Sequence, residues 1–225
     1  MEKHIVKVLE TSLLTHNVKR FLVQKPDDYA FVPGQATEIS INKPTLEDEL
    51  RPFTMTSHPQ DDHLEFIIKI YPDHHGMTEN LLDVVSGDEL IVHEVFGSIK
   101  YRGPGLFLAG GAGITPFIAI FRYLTRSSKS GQRPMTENTL LFANQTIGDV
   151  ILRDELKNML GDNYHDVIEQ SNDGIPGRRI DRALLMEYYS GHRNFYVCGP
   201  GKFTIAMVQH LEILGIAPDQ IVIEQ

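Results

Sequence analysis

The sequence has a single cysteine, no long apolar run and no excess of positive charge. Because Cys198 is the only cysteine among 225 residues, the chain cannot form an internal disulfide. An iron–sulfur cluster usually takes four thiolates, so any such cluster must belong to another protein. No apolar run approaches the about 20 residues of a membrane-spanning helix, and the start, MEKHIVKVLE, lacks an apolar signal core. We therefore expect a cytoplasmic protein without a membrane span.

The formal net charge of −9 makes nucleic acid an unexpected partner, since phosphate backbones require a basic surface. The chain also lacks a Gly-x-Ser-x-Gly elbow, which removes the usual basis for hydrolase chemistry. His58, His63, His74 and His75 lie close together in sequence, but their spacing matches no common metal-ligand pattern. We expect no metal site.

Residues 1–102 are predicted to form one domain, an antiparallel six-stranded β-barrel. Short β-rich stretches alternate there with turn-forming residues, and six strands in about 100 residues are typical of a small barrel. The predicted strands are His4–Glu10, Lys19–Gln24, Ala36–Ile41, Phe53–Ser57, Leu64–Tyr71 and Glu89–His93. One helix is expected from about Thr78 to Val85.

Residues 103–225 are predicted to form a second domain, of α/β type, because strands and helices alternate along it. This order indicates an open parallel sheet covered by helices on both faces. The five predicted strands are Leu106–Ala109, Thr139–Ala143, Tyr164–Glu169, Phe195–Cys198 and Gln220–Glu224, and the predicted helices are Thr115–Leu124, Val150–Leu160, Arg182–Tyr188 and Phe203–Leu214. The boundary is placed where Arg-Gly-Pro-Gly interrupts both patterns.

The sharpest local signal runs from Leu106 to Pro116, where an apolar strand leads into Gly110, Gly111 and Gly113 and then into a helix. Thr115 is placed as the helix N-cap and Pro116 as the first helical residue. Glycines allow the backbone to approach an anion, and a helix start offers free N–H groups. The motif favours a dinucleotide pyrophosphate over an empty tight turn.

A second strand–turn–helix junction contains Cys198, Gly199 and Pro200. Its turn should lie at the same carboxyl edge of the sheet, where ligands of open α/β sheets collect. We therefore expect Cys198 to lie beside a nicotinamide ring. The alternative is a buried structural cysteine.

Two stretches of the β half suggest a flavin nucleotide. One predicted strand carries a cation that can bind a diphosphate, Arg51, a ring that can stack on a flavin, Phe53, and a hydroxyl, Thr54. Gly76-Met77-Thr78 opens the lone helix, and Thr78 is a natural N-cap. Taken alone, the stretch with Arg51 is better explained as an ordinary strand, and a merely capped helix explains Gly76-Met77-Thr78 equally well.

Taken in order, these sites resemble the ferredoxin–NADP reductase superfamily over nearly the whole chain. The residues that carry the resemblance are Phe31-Val32-Pro33-Gly34-Gln35, Arg51-Pro52-Phe53-Thr54, Gly76-Met77-Thr78, Gly110–Pro116 and Cys198-Gly199-Pro200. The resemblance implies a six-stranded FAD barrel followed by a five-stranded parallel NAD(P) domain. Residues 142–153 (FANQTIGDVILR) look particularly like NADH–cytochrome b5 reductases.

The resemblance also assigns roles. It implies that Arg51 and Thr78 bind the FAD pyrophosphate, that Phe53 covers one flavin face and that Thr54 contacts the N5 region. Thr115 and Cys198 would flank the site where nicotinamide meets flavin, and Glu224 matches a glutamate near that site. The other expected cofactor-binding residues are Pro52, Ile68, Lys69, Ile70, Gly76, Met77, Gly111, Gly113, Pro116, Asn144, Asp149, Gly199 and Pro200.

Two departures from the family pattern concern the flavin. Phe53 stands where the family usually has tyrosine, so stacking survives and a hydroxyl contact is lost. The chain ends Ile223-Glu224-Gln225, without the aromatic residue that shields the second flavin face in many members. We therefore expect a more open face, which free flavins could reach.

The coenzyme is expected to be NADH rather than NADPH. The turn after the second strand of an NAD(P) domain reaches the adenosine ribose, and here it offers Asn144 and the acidic Asp149. A carboxylate there would repel a 2′-phosphate. Arg153, one helical turn later, is the residue that would favour NADPH, and Arg122 and Arg126 are further candidates.

The sequence thus predicts an FAD-dependent NAD(P)H reductase that passes electrons to a ferredoxin, a flavodoxin, a haem protein or free flavin. Thr54, Cys198 and Glu224 are the residues expected to act at the reacting rings, by positioning rather than as acid or base. The alternatives are a nucleotide-binding module without turnover and an electron-transfer subunit of a larger complex.

Overall fold

The structure is a computed structural model that describes residues 3–71, 76–97, 99–127, 137–170 and 176–224. The chain divides into two compact units, Met1–Gly97 and Ser98–Gln225. Each unit holds one sheet and its own core. The two are described separately below.

The first unit is an antiparallel six-stranded barrel, as predicted. Its strands are β1 (His4–Thr15), β2 (Val18–Gln24), β3 (Ala36–Ile41), β4 (Arg51–Thr54), β5 (His63–Lys69) and β6 (Glu89–Phe96). They pair in the order β4-β3-β6-β1-β2-β5. A bridge between Met55 and Phe66 joins the two ends of this order and closes the barrel.

Alternation along these strands fills the barrel, since every second side chain points inward. Phe21, Ile39, Met55, Leu64 and Phe66 are all fully buried in one apolar cluster. The strand predicted at Phe53–Ser57 lies earlier, at Arg51–Thr54. The reason is that pairing with β3 starts at Arg51, whereas Met55 makes only the closing bridge.

The helix predicted in this unit, α1 (Met77–Asn80), is shorter than the predicted Thr78–Val85, and Gly76 rather than Thr78 is its N-cap. A buried lysine explains the early end. Lys19 Nζ donates to the carbonyl oxygens of Leu81 (3.2 Å), Leu82 (2.7 Å) and Val84 (2.6 Å). Carbonyls at a helix end need such a partner, and this one comes from β2, far away in sequence.

The second unit is a parallel five-stranded sheet, also as predicted. Its strands are β7 (Gly105–Gly110), β8 (Thr139–Asn144), β9 (Tyr164–Ile168), β10 (Asn194–Cys198) and β11 (Ile221–Ile223), in the order β11-β10-β7-β8-β9. Its helices are α2 (Thr115–Ser127), α3 (Arg153–Leu160), α4 (Arg182–Tyr188) and α5 (Gly201–Ile213). Strands β7 and β10 are almost wholly buried.

The local structure at the starts of α2 and α3 differs from the prediction, although α2 begins at Thr115 as predicted. Thr115 is not the N-cap of α2: Gly111–Ile114 form a 3₁₀ turn that runs directly into the helix, and Thr115 is already helical (φ −58°, ψ −45°). Helix α3 begins at Arg153 instead of Val150, because Ile147–Asp149 form a separate 3₁₀ turn and Leu152 is left-handed at φ 50°. Short turns of this kind leave no periodic apolar pattern.

Within the residues that the structure describes, no helix is long and apolar enough to cross a membrane. The same residues contain no group of three or more histidine, cysteine, aspartate or glutamate side chains arranged to hold a metal ion. His74 and His75, part of the histidine cluster weighed above, lie outside the described residues.

Candidate functional site

Two turns lie side by side at the carboxyl edge of the parallel sheet. Strands β7 and β10 are direct neighbours, with Ala109 paired to Cys198, so the turn at Gly110–Gly113 and the turn at Cys198–Gly201 leave the sheet together. The sequence motifs predicted that the two turns lie at the same edge, and the pairing of β7 with β10 confirms it. Ligands of open α/β sheets bind at such an edge.

Gly113 is glycine because the two turns press against each other. A Cβ atom there would lie 2.4 Å from the Cys198 carbonyl oxygen and 2.5 Å from the Gly199 Cα. Phe203 of α5, which the sequence did not single out, packs in the same place: a Cβ on Gly199 would meet its ring at 2.7 Å and one on Gly110 at 3.0 Å. Three glycines of the site therefore serve close packing.

Gly111 differs from these three. Its φ of +52° favours glycine, and a Cβ built on it would meet nothing within 4 Å. The backbone at the start of the 3₁₀ turn is therefore open on one side. Thr115, a few residues on, is mostly buried, and its hydroxyl donates to the Ala112 carbonyl at 3.1 Å. Of this turn, Gly111 offers the clearest room for a ligand.

A cavity of about 290 Å³ lies beside the second turn, lined by Cys198, Gly199, Gly201, Thr204, Ile205 and Glu224. Cys198 is 6% exposed, and its Sγ donates to Glu224 Oε2 at 3.7 Å. Burial raises the pKa of the thiol far above its ordinary range, and the Glu224 charge raises it further. The thiol therefore stays protonated at neutral pH, and it supplies a neutral surface and no nucleophile.

The end of β8 carries an unsatisfied polar group. Asn144 is 6% exposed, and its Nδ2 has no hydrogen-bond partner among the described residues. A buried amide donor without a partner costs free energy unless a ligand or water accepts from it. Gly110 and Ala143 are paired at the end of β7 and β8, so Asn144 follows directly on the strand next to the glycine turn.

Asp149 has a local structural task. Its Oδ2 accepts from Thr146 N at 2.9 Å and from Thr146 Oγ1 at 2.7 Å, and the two residues form a capping box around the 3₁₀ turn. The carboxylate therefore shapes the turn after β8. It also leaves a negative charge there.

Two arginines near this turn are bound to carboxylates. Arg153 Nε donates to Asp166 Oδ2 at 2.7 Å. Arg122 forms a bidentate pair with Glu155, at 2.5 Å from Nε to Oε1 and 3.0 Å from Nη2 to Oε2. Two of the three cations that the sequence marked as possible 2′-phosphate ligands are thus neutralised by protein groups. The third, Arg126, lies in the last turn of α2.

In the first unit, the closing of the barrel brings two predicted stretches together. Strand β4 carries Arg51–Thr54, and β5 ends in Ile68-Lys69 followed by Ile70, whose N–H donates to the Asn17 carbonyl at 2.7 Å. Beyond the Met55 bridge, Thr56 N donates to the Glu65 carbonyl at 2.8 Å. The predicted flavin residues of β4 and β5 therefore lie on strands that meet.

Burial increases along β4, from exposed Arg51 to buried Thr54. Arg51 is exposed, and its Nη1 donates to the neighbouring Leu50 carbonyl at 2.7 Å. Phe53 packs partly against the barrel core. Thr54 is buried and pairs with Ala36 of β3.

The start of α1 is fixed by a residue that the sequence analysis missed. Glu49 Oε2 accepts from Met77 N at 3.0 Å, which brings Gly76-Met77-Thr78 beside the segment leading into β4. No sequence pattern connects residues 49 and 77. The predicted pyrophosphate ligands Arg51 and Thr78 are therefore carried by neighbouring segments.

Comparison with known proteins agrees with this architecture. Residues 3–115 match a family model described as an FAD-binding domain, and residues 107–209 match one described as an oxidoreductase NAD-binding domain. The chain therefore belongs to the FAD- and NAD-binding oxidoreductases. The predicted place in the ferredoxin–NADP reductase superfamily is confirmed.

Two relatives illustrate the range of this family. The chain is 29% identical to NADH–cytochrome b5 reductase 1 of Arabidopsis thaliana, over 95% of this chain and 80% of the relative. It is 28% identical to the propane 2-monooxygenase reductase component of Mycolicibacterium smegmatis, over 88% of this chain and 59% of the relative. The chain thus spans about three-fifths of the second relative. The chain described here is itself a flavin-dependent NAD(P)H reductase.

Solved structures share the fold across both units. The cytochrome b5 reductase domain of Ulva prolifera nitrate reductase has a TM-score of 0.81 at 21% identity, covering 99% of this chain and 97% of that one. A ferredoxin NADP+ reductase from Neisseria gonorrhoeae, solved with FAD and NADP, has a TM-score of 0.81 at 19% identity, covering 99% and 98%. The residues at the edge of the parallel sheet fit a dinucleotide, since Gly111 leaves open room and the buried Asn144 amide has no partner among the described residues.

Proposed function

We propose that this chain oxidises NADH in preference to NADPH, and that it delivers the electrons to an acceptor protein through FAD. The observation that carries the coenzyme choice is the pairing of Arg153 and Arg122 with carboxylates. A 2′-phosphate needs a cation that can turn toward it, best a bidentate arginine. Instead, Asp149 places a negative charge in the turn.

The proposal assigns a task to each part of the site. Asn144 Nδ2 and the open backbone at Gly111 bind the dinucleotide, while Thr115, Pro116, Gly199 and Pro200 hold the two turns in place. Cys198 and Glu224 line the cavity that receives the nicotinamide. Bound FAD would supply the redox chemistry, a two-electron acceptor for the hydride that can also release electrons singly.

For the flavin we propose residues 1–102 as the binding domain, and residues 103–225 as the coenzyme domain. Arg51 and the Gly76-Met77-Thr78 segment bind the pyrophosphate, and Phe53 and Thr54 contact the isoalloxazine. The extended backbone of Ile68, Lys69 and Ile70 lines its edge. A cytoplasmic location remains a prediction from the sequence.

The acceptor is proposed as a class: a ferredoxin, a flavodoxin, a haem protein or free flavin. One relative is named for cytochrome b5 and another for a propane monooxygenase, so the family serves both haem proteins and oxygenase systems. A protein that is yellow as purified and bleaches under NADH alone would exclude the alternative of a nucleotide-binding module without turnover.

The coenzyme choice is tested by kcat/KM for NADH and NADPH with ferricyanide as acceptor. We expect the wild type to favour NADH. Asp149→Asn removes the charge but keeps an oxygen for the cap, and it should lower the ratio of kcat/KM for NADH to that for NADPH. Asp149→Ser also removes the charge and keeps a different capping oxygen, so comparing the two variants separates the effect of the charge from that of the cap. A tenfold wild-type preference for NADPH, about 1.4 kcal/mol, would overturn the proposal.

A further inference from the structure

We propose that Asp166 is a specificity-determining residue: it holds Arg153 away from the coenzyme and so excludes the 2′-phosphate of NADPH. This inference rests on the proposed function, which puts the adenosine ribose at the turn after β8. Asp166 lies on the next strand and would touch no part of the coenzyme. It acts through Arg153, as a positioning residue.

Arg153 is held by its backbone in α3 and by its side chain on Asp166. Arg153 is the first residue of α3, and its Nε donates to Asp166 Oδ2 at 2.7 Å. The other carboxylate oxygen, Oδ1, accepts from the hydroxyl of Tyr164, which is itself mostly buried. Asp166 is therefore held on one side by tyrosine and holds arginine on the other.

The strand register shows which way the arginine is drawn. Asp166 is paired with Phe142, two residues before Asn144 at the end of β8. At about 3.3 Å per residue, the carboxylate lies roughly 7 Å back from the edge where the coenzyme would bind. Arg153 is thus drawn along the sheet, away from that edge.

Arg153 is accessible enough to leave Asp166 without becoming a buried, unpaired charge. The Arg153 side chain is 43% exposed and that of Asp166 only 14%. Removing the carboxylate therefore leaves no buried charge behind, since the freed guanidinium reaches water. It also gains the freedom to turn toward a 2′-phosphate, since Arg153 follows the turn of Thr146 and Asp149 by only four residues.

The test measures binding of two nucleotide fragments by calorimetry, ADP and 2′,5′-ADP, on the full chain. This readout needs neither flavin nor hydride transfer. Asp166→Asn should bind 2′,5′-ADP about three- to fivefold more tightly than wild type, the upper part of the range for one partly exposed charge pair, with ADP within about twofold. Tyr164→Phe, which loosens Asp166, should give a smaller gain.

Two comparisons isolate the mechanism. In the Arg153→Gln background, Asp166→Asn should no longer improve 2′,5′-ADP binding. Glu10→Gln, which makes the same change of charge at the Arg20 pair of the first unit, should leave both affinities unchanged. An equal change for both fragments would indicate a merely structural role for Asp166 and overturn the proposal.

The outcomes also separate this inference from the proposed function. If 2′,5′-ADP binds no better to Asp166→Asn while ADP still binds, Asp166 does not set specificity and the NADH reductase proposal stands. If the wild type already prefers 2′,5′-ADP, the NADH preference is wrong, but a further gain in Asp166→Asn still supports the control of Arg153. If neither fragment binds, both proposals fail.

Discussion

The candidate sites of the two units depend on different kinds of contact. In the second unit, main chain packs against main chain, and glycine is required because the turns after β7 and β10 touch. In the first unit, side chains from distant segments meet: Glu49 binds the start of α1 and Lys19 binds its end. The first kind of site shows in local sequence, whereas the second depends on contacts that only the folded barrel creates.

Adding one methyl group at the packed turns of the second unit tests their contact most directly. Gly113→Ala places a Cβ 2.4 Å from the Cys198 carbonyl, and we expect a loss of about 3 kcal/mol in the free energy of unfolding. Gly201→Ala is the matched control, since a Cβ there meets nothing within 4 Å. Urea denaturation of both variants checks this. Equal stability would show that the turns do not press together.

In the first unit the corresponding test removes a charged side chain. Lys19→Met leaves three carbonyls without their donor, and we expect a cost of about 2–3 kcal/mol, the range for hydrogen bonds to a charged group. FAD retention should fall as well, because α1 loses its anchor. Lys7→Met, on the exposed side of β1, should change neither quantity. A normal flavin content in Lys19→Met would separate the anchor from the cofactor.

Arg51→Ala examines ligand binding in the same unit without disturbing its core. The Arg51 side chain is exposed, so folding should be unaffected while FAD binding weakens by roughly 1.5–3 kcal/mol. Arg20→Ala on β2, which removes another cation from the barrel, is the control. Fluorescence titration of the apoprotein with FAD and with FMN measures the effect. A variant that retains FAD like the wild type would remove Arg51 from the pyrophosphate site.

The smallest expected effect concerns the Cys198 thiol and pH. Burial, and then Glu224, raise its pKa in the folded protein, whereas an unfolded cysteine has a pKa of about 8.5. The stabilisation is complete below that value and is lost as pH rises, since only the unfolded chain releases the proton. We expect the free energy of unfolding to fall by about 1 kcal/mol from pH 8.5 to 9.5. In Cys198→Ser this component should vanish; a slope identical to wild type would contradict it.

Much of this fold follows from local patterns, and the misses share a cause. The eleven strands that the structure describes lie at or near predicted positions, because alternation and turn residues mark them. The start and end of α1, by contrast, depend on Glu49 and Lys19, which are far away in the chain. Helix α3 starts late because Thr146 and Asp149 cap their own turn, a contact without periodicity.

The site shows the same division. Gly110–Gly113 and Cys198–Pro200 were recognisable because a strand, glycines and a helix follow each other directly. The Asp166–Arg153–Tyr164 arrangement was not, since it joins a helix start to a neighbouring strand through side chains. Phe203, packed between two turns, likewise carries no signal in its own neighbourhood.

The capping box at Thr146 and Asp149 also constrains how this lineage can evolve. In the proposed coenzyme site, the carboxylate that would repel a 2′-phosphate is the same one that shapes the turn, so a substitution of Asp149 would change the loop as well as the charge. Only residues that lack the charge but retain a capping oxygen, such as asparagine or serine, would change the coenzyme preference and preserve the turn. Under the role proposed for Asp166, a substitution there would release Arg153 without removing either partner of the Thr146–Asp149 cap.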